Sequence, residues 1–122
     1  MDQEKLIASI QGELAHLWMI RTFLKHADEI QENEEMLEVP RTLFDCIRAT
    51  EPAFQKKDWP EFFHRLGGKM SKLRRASDYY SSNYKNFSDH TNFEMAAASL
   101  GAAVARLKEL LEAKEQLPPE CP

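Results

Sequence analysis

Residues 3 to 31 read QEKLIASIQGELAHLWMIRTFLKHADEIQ, and their phase decides the fold class. At about 100° per residue, Leu6, Ile10, Leu14, Leu17, Ile20, Leu24 and Ala27 share one stripe, with Trp18 on its flank. A one-sided stripe of that length predicts an amphipathic helix facing a core, and no segment of the chain alternates as a strand would.

The same period recurs three times downstream. The acidic run from Gln31 to Glu38 closes the first pattern, and Pro40 is placed for a helix start, where its missing N–H would have had no partner. A second helix from about that point has Met36, Val39, Leu43, Cys46, Ile47 and Phe54 on its apolar face, with a kink expected at Pro52. The third begins at Asp58, which can cap free N–H groups ahead of Pro60 and Glu61. Its stripe is Phe62, Leu66, Met70, Leu73, Ser77 and Tyr80, ending near Tyr80. Gly67 and Gly68 sit mid-helix, where a close neighbour or a bend would explain them. The fourth opens on Thr91-Asn92-Phe93-Glu94, read as a capping box, carries Phe93, Leu100, Val104, Leu107 and Leu111 inward, and ends between Ala113 and Leu117.

The expected architecture is an all-α, single-domain four-helix bundle, up-down-up-down, with a kinked second helix. It spans residues 1–117, and residues 118–122 form a Pro-rich flexible tail. With 122 residues the chain suits one core. Hydrophobic residues are 43% and charged residues 30%, which excludes both a membrane-spanning and a disordered class. The start Met1-Asp2-Gln3-Glu4-Lys5 has no basic, then apolar, leader pattern. Two cysteines make no disulfide framework, because Cys46 lies in a helical stripe and Cys121 in the tail. A cytoplasmic location follows as the expectation.

Charge is unevenly placed. Residues 1–51 hold 5 basic and 11 acidic side chains, residues 52–86 hold 8 and 3, and residues 87–122 hold 3 and 6. Either the basic third helix packs between acidic neighbours and the charges satisfy one another, or it presents an anion-binding face. The candidate binding residues of that face are Arg65, Lys69, Lys72 and Arg75, followed by Tyr79, Tyr80, Tyr84 and His90. Cations for phosphates and rings for bases are what single-stranded nucleic acid requires. The overall acidity favours a protein partner instead, since Tyr and Arg are also enriched at protein interfaces.

Two further features concern association and buried polarity. Ala97, Gly101 and Ala105, set four apart with Ala98 and Ala102 beside them, form a small-residue seam on which a second subunit could pack. Glu13 and Arg21 both fall on the apolar stripe of the first helix, where a charge needs an ion-pair partner, a water-exposed edge or a polar pocket.

Two short patterns resemble catalytic families. Glu13-Leu-Ala-His16 and Glu61-Phe-Phe-His64 are two E-x-x-H elements, similar to those of ferritin-like di-iron bundles, and imply an inward carboxylate and histidine box. Glu61 and His64 nevertheless lie about 140° and 160° from Leu66, so they point away from the core. Arg21-Thr-Phe-Leu-Lys-His26 is an R-x4-H that resembles the short signature of HEPN-type ribonucleases, which are small all-α dimers, and implies RNA cleavage by an arginine and a histidine. In that family the motif lies near the final helix, whereas here it lies in the first.

No Gly-rich phosphate loop, H-E-x-x-H, C-x-x-C pair or nucleophile elbow is present, so no catalytic residue, metal ligand or cofactor is expected. The functional expectation is a non-catalytic interaction or oligomerisation module that forms a homo-oligomer. RNA or single-stranded nucleic-acid binding through the basic face is the alternative, and a metal-binding bundle the second alternative.

Overall fold

The computed structural model describes residues 2–118, so Cys121 and most of the expected tail lie outside the described residues. Four helices account for most of the chain: α1 (Gln3–His26), α2 (Glu34–Gln55), α3 (Trp59–Asn83) and α4 (Thr91–Glu115). Each packs on its neighbour in sequence and α1 packs on α4, which closes the ring of a four-helix bundle. Short connections between successive helices suit the up-down-up-down path.

Each helix begins where a side chain can take up a free main-chain N–H. Asp2 accepts from Lys5, Asn33 from Met36, Asp58 from Glu61, and the Nδ1 of His90 from Asn92. These caps correct several boundaries. The first helix stops at His26, because Ala27 is extended, and residues 28–30 form a single 3-10 turn rather than a continuation to residue 31. The fully buried Ile30 anchors that turn to the core.

The second helix starts at Glu34, six residues ahead of the expected Pro40 start. Asn33 caps it, and Glu34 and Glu35 occupy the first turn, where the helix dipole favours negative charge. The acidic run therefore opens this helix instead of closing the previous pattern. Pro40 and Pro52 both lie inside α2, which continues as one helix to Gln55. The kink expected in the second helix is not there, and the bundle's kink lies in α3. A Cβ built on Gly67 or Gly68 would meet nothing within 4 Å. Close approach by a neighbour is thereby excluded as their reason, and a bend is the other effect a glycine pair supports. Helix α3 also runs past Tyr80 to Asn83. At α4 the cap is His90, so Thr91 is the first helical residue and not the head of a capping box.

The end of α2 is a six-residue Schellman turn. Asp58 donates its N–H to the Ala53 carbonyl at 2.9 Å, and Lys57 donates to Phe54 at 3.1 Å. Such a turn needs a left-handed residue, usually glycine. Lys57 fills that position with φ 57°.

The core is one apolar cluster. Leu6, Ile10, Leu17 and Leu24 meet Met36, Leu43 and Cys46 of α2, Phe62, Leu66, Leu73 and Tyr80 of α3, and Leu100 and Leu107 of α4. The expected stripes are thus the buried ones, except that Ile47, Phe54, Met70 and Leu111 are only half-buried at the rim. Where α2 turns into α3, Phe54, Trp59, Phe62 and Phe63 interlock with ring centroids 5.7 to 5.9 Å apart. Among the described residues no buried side-chain nitrogen or oxygen lacks a hydrogen-bond partner.

Candidate functional site

The charge pattern along the chain becomes a groove in three dimensions. Helices α2 and α3 pack side by side, and between them lies an open cleft of about 480 Å³. Glu35, Glu38 and Asp45 of α2 form one wall, Lys69, Lys72, Arg75 and Tyr79 of α3 the other, and Val39 and Ala76 belong to its lining. The two walls carry opposite charge because the acidic run opens α2 and the basic run sits on the α3 face beside it.

The structure divides the eight residues expected to form one binding face. Lys69, Lys72, Arg75 and Tyr79 line the groove together. Tyr79 reaches across it and donates its hydroxyl to the Glu35 carboxylate at 3.3 Å. Burial first, and the Glu35 charge second, raise its phenol above the usual tyrosine value. Arg65 is engaged by Glu61 at 2.6 Å, one turn away on its own helix. Tyr80 is fully buried and donates to the Phe93 carbonyl at 2.9 Å. Tyr84 stacks on Tyr80 with centroids 5.5 Å apart, and His90 is occupied as the cap of α4. Two of the three tyrosines of the expected stacking platform thus hold the fold together.

Within the described residues, Lys69, Lys72 and Arg75 make no ion pair within 4.0 Å. They face the three carboxylates of α2 across the groove instead. A nucleic-acid backbone laid there would meet those carboxylates as well as the cations, which offsets the counterion-release term that drives such binding. Cys46, on the same helix as the acidic wall, is fully buried. Burial pushes its thiol from 9.0 up to about 12, against a smaller downward pull from Lys69.

A second cluster joins α1 to α2 and was not read from the sequence. Trp18 and Phe44 pack at 6.1 Å between centroids. The Arg21 guanidinium carbon lies 4.5 Å from the Trp18 ring centre and 5.0 Å from that of Phe44, and that of Arg48 lies at 5.7 and 5.2 Å. Arg48 also pairs with Glu51 at 2.8 Å. The local spacing Trp18 to Arg21 and Phe44 to Arg48 was a signal for ring and guanidinium stacking. The pairing of the two rings was not, because it depends on how α1 and α2 meet.

Glu13 and Arg21, expected on the buried stripe, sit instead at its edges, and they do not pair. Glu13 is half-buried, its side chain 22% exposed, and contacts the Nδ1 of His16 at 3.1 Å. Arg21 is half-buried on the rings.

The two E-x-x-H elements remain apart, on α1 and on α3, which are not ring neighbours. His64 is exposed, and Glu61 is turned toward Arg65. No group of three or more His, Cys, Asp or Glu side chains among the described residues is placed to hold a metal ion. In the R-x4-H pattern Arg21 is stacked on Trp18, while His26 is exposed at the last residue of α1.

The small seam of α4 lies along the α3 side. Ala97 and Gly101 are half-buried, Ala105 is exposed, and a Cβ built on Gly101 would stand 3.9 Å from the Ser77 Oγ. The outward faces of α1 and α4 are unusual for exposed helices. Ala8, Gly12, Ala15 and Met19 lie on the outer strip of α1, and Met95, Ala98, Ala102 and Ala105 on that of α4, between the exposed charges Glu94 and Arg106. Met19 is 65% and Met95 53% exposed, and they are the exposed large hydrophobic side chains among the described residues. Phe23 and Phe93 pack edge to face at 5.1 Å. The C-terminal half of α1 therefore runs beside the N-terminal half of α4, and both methionines belong to that end of the pair.

No protein-family model matches this chain, and neither does any curated protein or solved structure.

Proposed function

We propose that this protein is a non-catalytic helical interaction module that self-associates through the outer side of the α1–α4 pair. One observation carries the reading. Met19 and Met95 stand exposed on adjacent helices among Ala15, Ala98 and Ala102, where residues 14–20 of α1 and 95–105 of α4 include no Asp, Glu, Lys or Arg. Large hydrophobic side chains exposed on a strip of small residues are typical of a contact surface, and small residues let a second helix approach closely. A patch this poor in charge suits a second copy of the same chain, because a two-fold interface joins the same patch on both subunits and an uncharged one brings no like charges together. The exposed end of the α4 seam, Ala105, extends the same strip.

No helix among the described residues is long and apolar enough to cross a membrane. A cytoplasmic setting, with Cys46 kept as a buried free thiol, belongs to this proposal. Nucleic-acid binding has one observation in its favour, the unpaired Lys69, Lys72 and Arg75, and one against it, the acidic wall they face.

Sedimentation equilibrium over a wide concentration range tests the proposal. The wild-type chain should approach a dimer, Met19→Glu together with Met95→Glu should run as a folded monomer, and Lys69→Glu with Lys72→Glu should still associate. A wild-type monomer at every concentration, with RNA affinity that falls steeply as salt rises, would replace this reading with the basic groove.

A further inference from the structure

We propose that the groove between the end of α1 and the start of α2 is a docking site for an acidic peptide segment, one whose carboxylate is followed or preceded by an apolar side chain. Arg21 is the anchor. Its guanidinium carbon lies 4.5 Å from the Trp18 ring centre and 5.0 Å from that of Phe44, and a guanidinium stacked on a ring keeps its in-plane N–H donors available. Among the described residues none of those donors has a protein acceptor, and Arg21 forms no ion pair. Lys25, one turn further along α1, likewise has no carboxylate within 4.0 Å. Two unspent cations therefore stand on one helix face, four residues apart.

The groove they border measures about 490 Å³, and Leu37, Pro40 and Phe44 supply its apolar surface, with Asp45 as an acidic group at its edge. Beside Lys25 the Gln31 amide donates to the carbonyls of Lys25 and Ala27 at 2.7 and 2.9 Å, so those two acceptors are already engaged. Arg21 is held in place by the rings, so little side-chain entropy is lost when an anion is bound. The groove is open along its length. A small ligand would leave much of itself in water there, whereas an extended segment of a partner can place a carboxylate on Arg21 and Lys25 and an apolar side chain on Leu37 and Phe44. Charge complementarity thus selects the occupant, and the site is separate from the α1–α4 side proposed for self-association.

The test uses fluorescein-labelled octapeptides with Glu next to Phe or Leu, and the same peptides with Gln for Glu, titrated with the full chain and read by anisotropy. Saturable binding is expected, weakened about tenfold or more by Gln for Glu or by Arg21→Ala, the loss that follows from one charged hydrogen bond. Lys72→Ala should leave it unchanged. Arg21→Lys, which keeps the charge but not the planar fork, guards against a folding defect and should bind with intermediate affinity. In a Trp59→Phe background the emission of Trp18, then the single tryptophan, should change with the same midpoint. Equal affinity for the Gln peptides, full binding by folded Arg21→Ala, or no saturation with any peptide of the set would overturn the proposal. Displacement of the labelled peptide by inorganic phosphate more readily than by unlabelled peptide would overturn it in favour of a phosphate site.

Discussion

The hydroxyl of Tyr80, fully buried on α3, donates to the main-chain carbonyl of Phe93 in the first turn of α4 at 2.9 Å. This bond spans the connection of residues 84–90 and fixes where α4 begins relative to α3. Tyr80→Phe removes the donor while keeping the ring and its stack on Tyr84. We expect a loss of about 1 kcal/mol, the usual net worth of such a bond, seen as a lower urea midpoint with an unchanged m-value.

Lys57 occupies the left-handed position of the Schellman turn between α2 and α3 with φ 57°. A side chain there costs roughly 1 kcal/mol relative to glycine. Lys57→Gly should therefore raise the thermal midpoint by relieving native-state strain, although glycine usually destabilises by making the unfolded chain freer. A lower midpoint would show that the turn is not the one described.

Gly67 and Gly68 have room for a methyl group and helical backbone angles. Replacing each by alanine should stabilise by up to about 1 kcal/mol, the ordinary helix-propensity difference. Differential scanning calorimetry of the single variants decides this. Destabilisation by either would mean that the kink of α3 depends on glycine.

Cys46 should resist thiol reagents at neutral pH in the native protein and react once unfolded. A Cys121→Ser variant isolates that signal. Its folded-state value of about 12 lies above the ordinary 9.0, so the native state holds the proton more tightly than the unfolded chain. The stability from this group is complete below 9.0 and is lost as pH rises toward 12, at a slope approaching about 1.4 kcal/mol per pH unit. Tyr80, whose phenol is also raised above its ordinary 10.0 by burial, adds to the loss at the top of that range. Cys46→Ala should be less stable at neutral pH yet show a flatter decline between pH 9 and 10 in urea titrations.

The periodicity of the apolar residues was enough to determine an all-α bundle of four helices and most of its core. Leu6, Leu43, Leu66 and Leu100 can be assigned inward from spacing alone, because burial of a stripe depends only on the helical repeat. Asp58 was equally legible as a cap, since its hydrogen bond is local. The boundaries that failed at Asn33 and His90 turn on which of several competent side chains captures the N–H, and neighbouring residues offer nearly equal choices, whereas the one at Ala27 is an extended residue that no capping side chain marks. Pro52 looked like a kink because proline removes one bond of its helix. That loss proved compatible with an unbroken α2 packed between α1 and α3.

The site was less legible for a different reason. Lys69, Lys72 and Arg75 are visibly basic in the chain, but only packing beside α2 places Glu35, Glu38 and Asp45 opposite them. Tyr79 and Tyr80 are adjacent in sequence, yet one faces the groove and the other the core, separated by the 100° turn between consecutive helical residues. The Trp18 and Phe44 pair, 26 positions apart, with its two arginines, exists only because α1 and α2 meet at that height. Local interactions are encoded in spacing along one helix. Contacts between helices depend on rotation and offset, which the packing of the whole core decides, and the chain alone therefore specified the elements while the tertiary structure selected the surfaces they share.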